Sequence, residues 1–212
     1  MIPRTKTLLA TPALLALLAL LAHPAAAGEL ALEAQGGYFE MAAENSASAL
    51  FGSGGGGTFG GAVRYTFWRG AFASAGVRTF SKEGERVFVA GPTGPVQSLG
   101  FPLSVRLTPI FATVGYRFLD GTLVVPYLSV GGTITAYSEQ SEVAGETFED
   151  SRSKAGFLGA VGVEVGRGTF RFGAEAGFST VPDAIGLGGV SEVYGEDDVG
   201  GFHVVGKVVF VF

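Results

Sequence analysis

The sequence predicts an all-β fold, an eight-stranded antiparallel up-and-down transmembrane β-barrel. Three observations predict it. Eight segments of about ten residues alternate apolar with polar side chains, which is the period of a β-strand. The connections between these segments are alternately long and short. The sequence also ends in such a segment, Phe202–Phe212, with one face free of polar side chains and an opposite face that carries His203 and Lys207.

The N-terminal residues predict export. Two basic residues precede an apolar run, Leu8–Ala22, and a small-residue cleavage site, Ala25–Ala27. The alternative is a membrane anchor, but this run is short for a helical span of about 20 residues. We therefore expect residues 1–27 to be a cleavable secretory signal peptide and residues 28–212 to form one barrel domain.

Composition excludes several classes of protein. The segment after the predicted signal has no long apolar run, which argues against a helical membrane protein. The absence of Cys excludes disulfides, a thiolate metal site and lipid attachment through Cys. The chain carries 14 basic and 19 acidic residues with no basic patch, so nucleic acid is not an expected partner. The 35 Gly and 18 Phe suit short strands with tight turns and aromatic anchors.

The first three strands are predicted at Glu29–Phe39, Thr58–Phe67 and Ala71–Phe80. In each of the first two strands, one face carries bulky apolar residues. The opposite face carries a charged residue, Glu33 in the first strand and Arg64 in the second. In the third, Phe72 and Phe80 share a face with Arg78, so the sequence leaves open which side faces lipid. Gly54–Gly57, before the second strand, lacks the Lys of a phosphate-binding loop and is predicted to make that connection flexible.

The fourth and fifth strands show a change of phase. The fourth runs to Phe118, and its apolar residues switch parity near Thr108-Pro109, which predicts a β-bulge because Pro cannot donate to the ladder. Asp120-Gly121 predicts a tight turn into the fifth strand, Thr122–Tyr137. Arg86–Ala90 could extend a further hairpin, so ten strands remain an alternative to eight.

The last three strands are predicted at Lys154–Val165, Thr169–Ser179 and Phe202–Phe212. The long connections are Met41–Gly57, Ser81–Leu99, Ser138–Ser153 and Thr180–Gly200. Three short turns and both ends of the domain lie on the opposite side. This arrangement is typical of barrels with short periplasmic turns and long extracellular loops. A soluble barrel would instead place its apolar side chains inward.

The face opposite the apolar one predicts a charged barrel interior, formed by Glu33, Arg64, Arg78, Arg117, Glu164, Arg171, Glu175 and Lys207. Buried charges must pair, because an unpaired one costs several kcal/mol. Two interpretations stay open: a structural plug of ion pairs, or a narrow ion path. Aromatic residues near both strand ends predict two interfacial girdles.

Catalysis and metal binding have little support. His203 is the single His after the predicted signal, and its neighbours Phe202 and Val204 offer no nucleophile. The acidic residues Glu196–Asp198, with Asp183 and Glu192, do not have the spacing of a known calcium loop. The sequence therefore predicts no catalytic, cofactor-binding or metal-binding residues and no cofactor.

Tyr116-Arg117-Phe118 before a tight turn, Pro126-Tyr127 after it and the terminal Phe212 resemble the outer-membrane β-barrel domain family, which includes small OmpX-like barrels and OmpA-like transmembrane domains. The resemblance implies a monomer in the outer membrane of a Gram-negative cell, in contact with outer-membrane lipid. It also implies that Phe210 and Phe212 form a terminal signal for the outer-membrane assembly machinery.

For function, the resemblance implies a non-enzymatic structural or surface-interaction protein whose four loops could contact an extracellular ligand. The alternative is a narrow, porin-like ion channel through the charged interior. A lipid A-modifying enzyme is less favoured, because eight-stranded deacylases keep a Ser beside a His in a late strand, and His203 departs from that pattern.

Overall fold

The computed structural model describes residues 28–143, 146–185 and 189–212. The predicted signal peptide, residues 1–27, lies outside the described residues. Eight antiparallel strands form a closed barrel in which each strand pairs with its sequence neighbours and the last pairs with the first. The strands are β1 (Glu29–Met41), β2 (Gly55–Trp68), β3 (Ala71–Val89), β4 (Val96–Arg117), β5 (Val124–Val143), β6 (Glu146–Arg167), β7 (Phe170–Thr180) and β8 (Gly201–Val211). The predicted fold class is confirmed, with eight strands rather than ten.

The strands form as predicted because their side chains sort by period two into an apolar outer face and a charged inner face. Phe157 on the outer face is 77% exposed, whereas Arg117 and Glu164 on the inner face are 2% and 0% exposed. A water-soluble barrel has the opposite arrangement, since burial of apolar surface drives its folding. The exposed apolar belt is therefore the outer surface of a barrel that suits lipid.

The strands β3 to β6 extend well beyond the predicted boundaries, which corrects two of the four loops. The predicted loop Ser81–Leu99 is mostly strand, because β3 and β4 pair up to Val89 and Val96. The predicted loop Ser138–Ser153 is likewise a hairpin of β5 and β6. Both faces of these extensions carry many polar residues, so they lack the apolar alternation on which the prediction depended.

The bulge predicted near Thr108-Pro109 is wrong. The pairing of β4 with β5 runs without a shift through this point, and Pro109 lies opposite Thr135. Register shifts occur instead between Thr66 and Trp68 and between Glu85 and Val87. The apolar residues before Pro109 point inward, like the polar residues after it, because the barrel interior changes from charged to apolar towards the loop end.

The open question about β3 is resolved by burial. Phe72 and Phe80 are both 3% exposed and point into the barrel. Phe80 packs edge-to-face on Phe39 at a centroid distance of 5.0 Å, and Phe72 packs on Tyr127 at 6.0 Å. The residues of β3 that face outward between them include Ala73, Ala75 and Val77.

An apolar core fills the loop end of the barrel. It consists of Met41, Ala47, Phe80, Val105, Leu107, Tyr137, Val181, Ala184 and Val199. The first loop contributes the helix α1 (Glu44–Phe51), and the fourth contributes the short helix α2 (Val190–Tyr194). These two loops therefore pack into the barrel mouth. None of the described helices is long and apolar enough to cross a membrane.

The glycine run Gly54–Gly57 is also not the flexible connection that was predicted, because β2 begins within it. Gly55 pairs with Glu40 and Gly57 with Tyr38, so both glycines belong to the sheet. At Gly55 a Cβ would collide with the hydroxyl of Tyr38. Glycine at this position thus allows the Tyr38 side chain to lie across the strand and donate its hydroxyl hydrogen bond to Glu40 at 2.5 Å.

Candidate functional site

The deepest charge cluster of the barrel centres on Arg64 of β2. Its guanidinium lies 3.0 Å from Glu33 of β1 and makes a bidentate pair with Glu164 of β6. The side chains of all three are at most 2% exposed. Bidentate pairing fixes both the position and the orientation of the guanidinium plane. These residues therefore connect three strands across the barrel interior.

A second cluster lies towards the short turns. Glu29 accepts hydrogen bonds from both Arg117 and Arg171, each at 2.8 Å through one carboxylate oxygen. Arg117 and Arg171 also approach Glu164 at 3.5 and 3.9 Å. Arg117 contacts Asp120 at the rim of the barrel at 3.4 Å. The two clusters are joined through Glu164.

A third cluster lies towards the loop end and centres on Glu175 of β7. Its carboxylate lies 2.5 Å from Lys207 and 2.8 Å from Arg78, and it accepts a hydrogen bond from the Tyr127 hydroxyl at 2.9 Å. Lys207 also reaches Glu33 at 3.1 Å, which joins this cluster to the first. The charged groups thus form one network along the barrel axis.

The eight residues of the predicted interior set all lie inside the barrel and all belong to this network. Glu29, Gln35 and Tyr127 also belong to it, although none of them is among the predicted residues. Gln35 accepts from Arg78 at 2.9 Å and donates to Glu33 at 3.3 Å. Glu29 and Gln35 share the parity of Glu33, so the period of β1, extended to both sides, could have identified them.

The network leaves little space inside the barrel. A cavity of about 20 Å³ lies among the charges, between Arg64, Phe111 and Glu175. A cavity of about 40 Å³ lies above it, between Arg78, Phe80 and His203. Cavities of this size hold from one to a few water molecules. The cations and carboxylates therefore pair with one another in place of bulk water, which lowers the penalty for burying them. Among the described residues, the Nε atoms of Arg64 and Arg117 are buried without a hydrogen-bond partner.

His203 lies in the barrel interior at the loop end and is 3% exposed. Its Nε2 is 3.5 Å from Glu175 Oε1. A catalytic His needs an acceptor that orients it and a nucleophile that it can deprotonate. Here the nearby carboxylate is already shared by Lys207, Arg78 and Tyr127. This geometry gives His203 a place in the polar network rather than in a triad.

The acidic residues of the fourth loop tie that loop to the rest of the molecule. Glu196 accepts hydrogen bonds from the backbone N–H groups of Asn45 and Ser46, at 3.1 and 2.7 Å, in the first turn of α1. Burial alone would raise the pKa of Glu196, but the hydrogen bonds from Ser46 and Asn45 outweigh it and lower the pKa. Asp198 accepts from the N–H groups of Val181 and Gly200.

No group of three or more His, Asp or Glu in the described segments is arranged to hold a metal ion. The carboxylates of Glu196 and Asp198 instead act as acceptors for backbone N–H groups that have no partner within a helix or sheet. Such capping contacts stabilise helix ends and loops.

A cleft of about 400 Å³ opens at the loop end, above the apolar core. One wall is α1 with the segment around Val190, and the other is the projecting sheet of β3 to β6. Leu103 and Val105 of β4 form its floor, together with Met41 and Phe51. Charged side chains of the sheet line its rim: Arg86, Glu139, Asp150 and Arg152. The cleft has the size of a small-molecule site, and it combines an apolar floor with a polar and charged rim.

The predicted terminal signal lies at the seam where the barrel closes. Phe212 is 67% exposed, and its backbone N–H donates to the carbonyl of Leu30 at 2.9 Å. Phe210 packs edge-to-face against Phe212 at 4.7 Å and against Phe170 at 5.0 Å. The three rings form an aromatic cluster on the outer surface at the turn end.

No family model and no curated protein matches this chain. Several solved structures are similar to it. The crystal structure of a major outer membrane protein from Thermus thermophilus has a TM-score of 0.54 and 12% identity, over 88% of this chain and 100% of that chain. Neisserial surface protein A has a TM-score of 0.49 and 14% identity, over 87% of this chain and 97% of that chain.

The attachment invasion locus protein Ail of Yersinia pestis, solved with the heparin analogue sucrose octasulfate, also has a TM-score of 0.49 and 14% identity, over 87% of this chain and 99% of that chain. At identities this low the likeness is one of fold, and it is the Thermus thermophilus protein that supports it. Together with the closed ring of eight strands, this likeness shows that the chain has the fold of the small outer-membrane β-barrels that its sequence resembles.

Proposed function

We propose that this protein is a non-enzymatic barrel of the Gram-negative outer membrane that holds a rigid structure at the cell surface. The observation that carries the proposal is the pairing of an exposed apolar outer face with a filled, ion-paired interior. The outer face suits lipid, since exposed apolar surface of this extent is unfavourable in water. The interior network suits a structural plug, because its charges are buried with partners.

The orientation follows from the connections. Short turns face the periplasm in such barrels and longer segments face outward. Export through a signal peptide at residues 1–27 and recognition of Phe210 and Phe212 by the assembly machinery are part of the proposal. So is a monomeric state, since the ring closes within one chain.

The surface structure has two parts with different roles. α1 and the fourth loop pack into the barrel mouth, whereas the hairpins β3–β4 and β5–β6 project past the apolar belt. Near their tips the projecting hairpins expose Phe88, Leu99 and Phe148 at 56%, 50% and 52%. Large apolar side chains exposed in water are typical of surfaces that contact a partner. We therefore assign the surface-interaction role to the hairpins.

One observation favours the alternative, an ion channel. Charged and polar groups continue along the barrel axis from Asp120 at the turn rim to His203 near the loop end. For conduction, however, ions would have to displace pairs such as Arg64–Glu164 and Lys207–Glu175, which bridge the interior. The closed network favours the plug.

Single-channel conductance tests this choice. The mature protein is refolded in detergent, verified as a heat-modifiable barrel, and inserted into planar bilayers beside Arg64→Ala and Glu175→Ala. We expect no steady channels from the wild type. Steady channels whose conductance changes with either substitution would establish the ion path instead.

Orientation is tested separately by cysteine labelling, since the chain has no Cys of its own. Two single-Cys variants are used: Thr93→Cys, at a residue between β3 and β4, and Asp120→Cys, at a residue in a short turn. We expect a membrane-impermeant maleimide to label intact cells at position 93 but not at position 120. The reverse result would overturn the proposed orientation.

A third experiment tests the non-enzymatic part of the proposal. We expect the lipid A of cells that express the wild type to be the same as that of cells that express His203→Ala, and unchanged from cells without the protein.

A further inference from the structure

We propose that the cleft at the loop end binds a single-chain fatty acid, with its apolar chain on the cleft floor and its carboxylate at Arg86 and Arg152. The inference rests on the proposed function, because it requires the loop end to be outside the cell. It adds a ligand site that is separate from the charged interior.

The shape and lining of the cleft favour an apolar chain. Its volume of about 400 Å³ lies at the small end of the range for ligand pockets, about 300 to 1,000 Å³. A cavity of this size admits one short chain rather than a two-chain lipid. The floor formed by Met41, Phe51, Leu103 and Val105 offers only apolar atoms from its side chains, with the thioether of Met41 as a weak exception.

The rim determines the head group. Within the described part of the chain, the guanidinium of Arg86 has one ion-pair partner, Glu139, at a long 3.8 Å. Arg152 pairs with Asp150 through Nε at 3.1 Å and a terminal nitrogen at 2.9 Å. A guanidinium has five N–H donors, so both keep donors that no contact among the described residues uses.

The carboxylates of the rim are committed more fully than the guanidiniums. Glu139 accepts a hydrogen bond from the Tyr137 hydroxyl at 2.6 Å in addition to its pair with Arg86. Asp150 receives both contacts from Arg152 on a single oxygen, Oδ2, so that its Oδ1 has no contact among the described residues. The two guanidiniums together therefore keep more unused N–H donors than the two carboxylates keep unused oxygens, and this excess of donors matches an acceptor-rich, planar carboxylate head.

The backbone explains how Arg86 reaches the cleft. The register between β3 and β4 shifts between Glu85 and Val87, and both Arg86 and Val87 line the cleft. A register irregularity of this kind re-aims side chains relative to the regular alternation. The shift places the guanidinium of Arg86 at the edge of the apolar floor. In a regular strand, only one of the two neighbours Arg86 and Val87 would point towards the cleft.

Equilibrium dialysis of radiolabelled decanoate tests the proposal. The full mature protein is held in phosphatidylcholine nanodiscs, with empty nanodiscs as the background. We expect saturable binding of one decanoate per barrel above that background. Decyltrimethylammonium, which has the same chain length and a cationic head, is expected to show no more uptake than empty nanodiscs.

Two variants locate the site. Arg86→Gln with Arg152→Gln removes the donors and is expected to weaken decanoate binding about tenfold or more, the loss of a charge-assisted contact. Arg69→Gln with Arg167→Gln removes the same charge from two exposed positions at the opposite end of the barrel and is expected to bind like wild type.

Heat-modified mobility verifies that each variant is a folded barrel. The proposal is overturned if folded wild type takes up no more decanoate than empty nanodiscs, if decyltrimethylammonium binds equally well, or if the two arginine pairs behave alike. These outcomes leave the conductance and labelling results unchanged, so a failure of the ligand site is distinguishable from a failure of the membrane-anchor function.

Discussion

At the scale of single residues, the buried carboxylates connect strands that are distant in sequence. Glu164 of β6 contacts Arg64 of β2, Arg117 of β4 and Arg171 of β7. A residue with three cationic neighbours and no exposed surface has no water to replace a lost partner. Removal of its charge leaves several cations buried without compensation, which is more costly than the net value of any one pair.

We therefore predict that Glu164→Gln destabilises the barrel by about 3 kcal/mol or more, the cost of breaking a buried ion pair. Denaturant unfolding of the detergent-refolded protein measures the free energy of unfolding. Glu149→Gln, an exposed carboxylate on the same strand, is the matched control and is expected to change it by less than about 0.5 kcal/mol. Equal effects of both substitutions would contradict the structural role of the network.

The lowered pKa of Glu196 predicts that the stability of α1 at the barrel mouth depends on pH. Its pKa in the folded protein is lower than its ordinary value of about 4.3, because of the hydrogen bonds from Ser46 and Asn45. A lowered pKa contributes stability that is present above the unfolded value and is lost as the pH falls through the folded value.

We expect the hydrogen-exchange protection factors of the α1 amides to fall when the pH is lowered from about 4.3 through the folded pKa of Glu196. The contribution is about 1 kcal/mol, since the carboxylate is partly exposed to solvent. In Glu196→Gln the protection is lower at neutral pH and does not change over this interval. Glu192→Gln, at an exposed residue, is the control and is expected to keep the wild-type pH dependence of the α1 protection factors. Loss of this pH dependence in Glu192→Gln would contradict the assignment to Glu196.

At the scale of elements, the sequence predicts the part of each strand that lies in the apolar belt and misses the part that projects from it. Lipid requires large apolar side chains at every second position, so Ile110, Val114 and Phe157 mark the belt clearly. Beyond the belt the outer face meets water, so polar residues replace the large apolar ones there and the alternation disappears. The interior becomes apolar near Leu107 for a different reason, because at this level it packs in the core with Phe80 and Val181 instead of joining the ion pairs.

Helix α1 depends on this projecting sheet for its position. The carbonyl of Leu50 in α1 lies against Gly84 of β3, and a Cβ at residue 84 would collide with that backbone oxygen. Gly84→Ala is therefore predicted to displace α1, at a cost of about 1 to 3 kcal/mol to the local packing. Limited proteolysis at the first loop is the measurement, and faster cleavage is expected.

The control for this prediction is Gly57→Ala in β2. A Cβ at that position has no atom within 4 Å, and the substitution is expected to leave the cleavage rate unchanged. Unchanged cleavage of Gly84→Ala would show that α1 does not rest on β3. Both variants should retain the heat-modified mobility of the barrel.

At the scale of the whole molecule, closure joins residues from the two ends of the domain. β1 pairs with β8 from Ala31 and Val211 to Met41 and Gly201, so the last strand completes the ring. The sequence predicts eight strands and the inward charges, because both follow from period two. It does not predict which charges meet, because partners such as Arg64 and Glu164 lie 100 residues apart and only the register of the closed ring brings them together.

The terminal ring cluster gives a prediction at this scale. Phe212 is exposed and joins the sheet through its backbone N–H, so its side chain contributes little to the barrel interior. Phe212→Ser is expected to refold in detergent like wild type but to reach the outer membrane of cells at a much lower level. Phe202→Ser, at the other end of β8, is the control. Equal levels of the two variants in the membrane would contradict a terminal assembly signal.

The projection of β6 also decides what can approach the cell-surface end of the molecule. From Phe157 in the apolar belt to Glu146 at the tip, the strand rises roughly 25 to 30 Å, given about 3.3 Å per residue and a tilt of about 40°. A macromolecule would meet Phe88 and Phe148 at the tips first, while a small molecule can diffuse past them to the floor at Leu103. The hairpins would then act as a size filter, so that one surface could serve large and small ligands without competition between them.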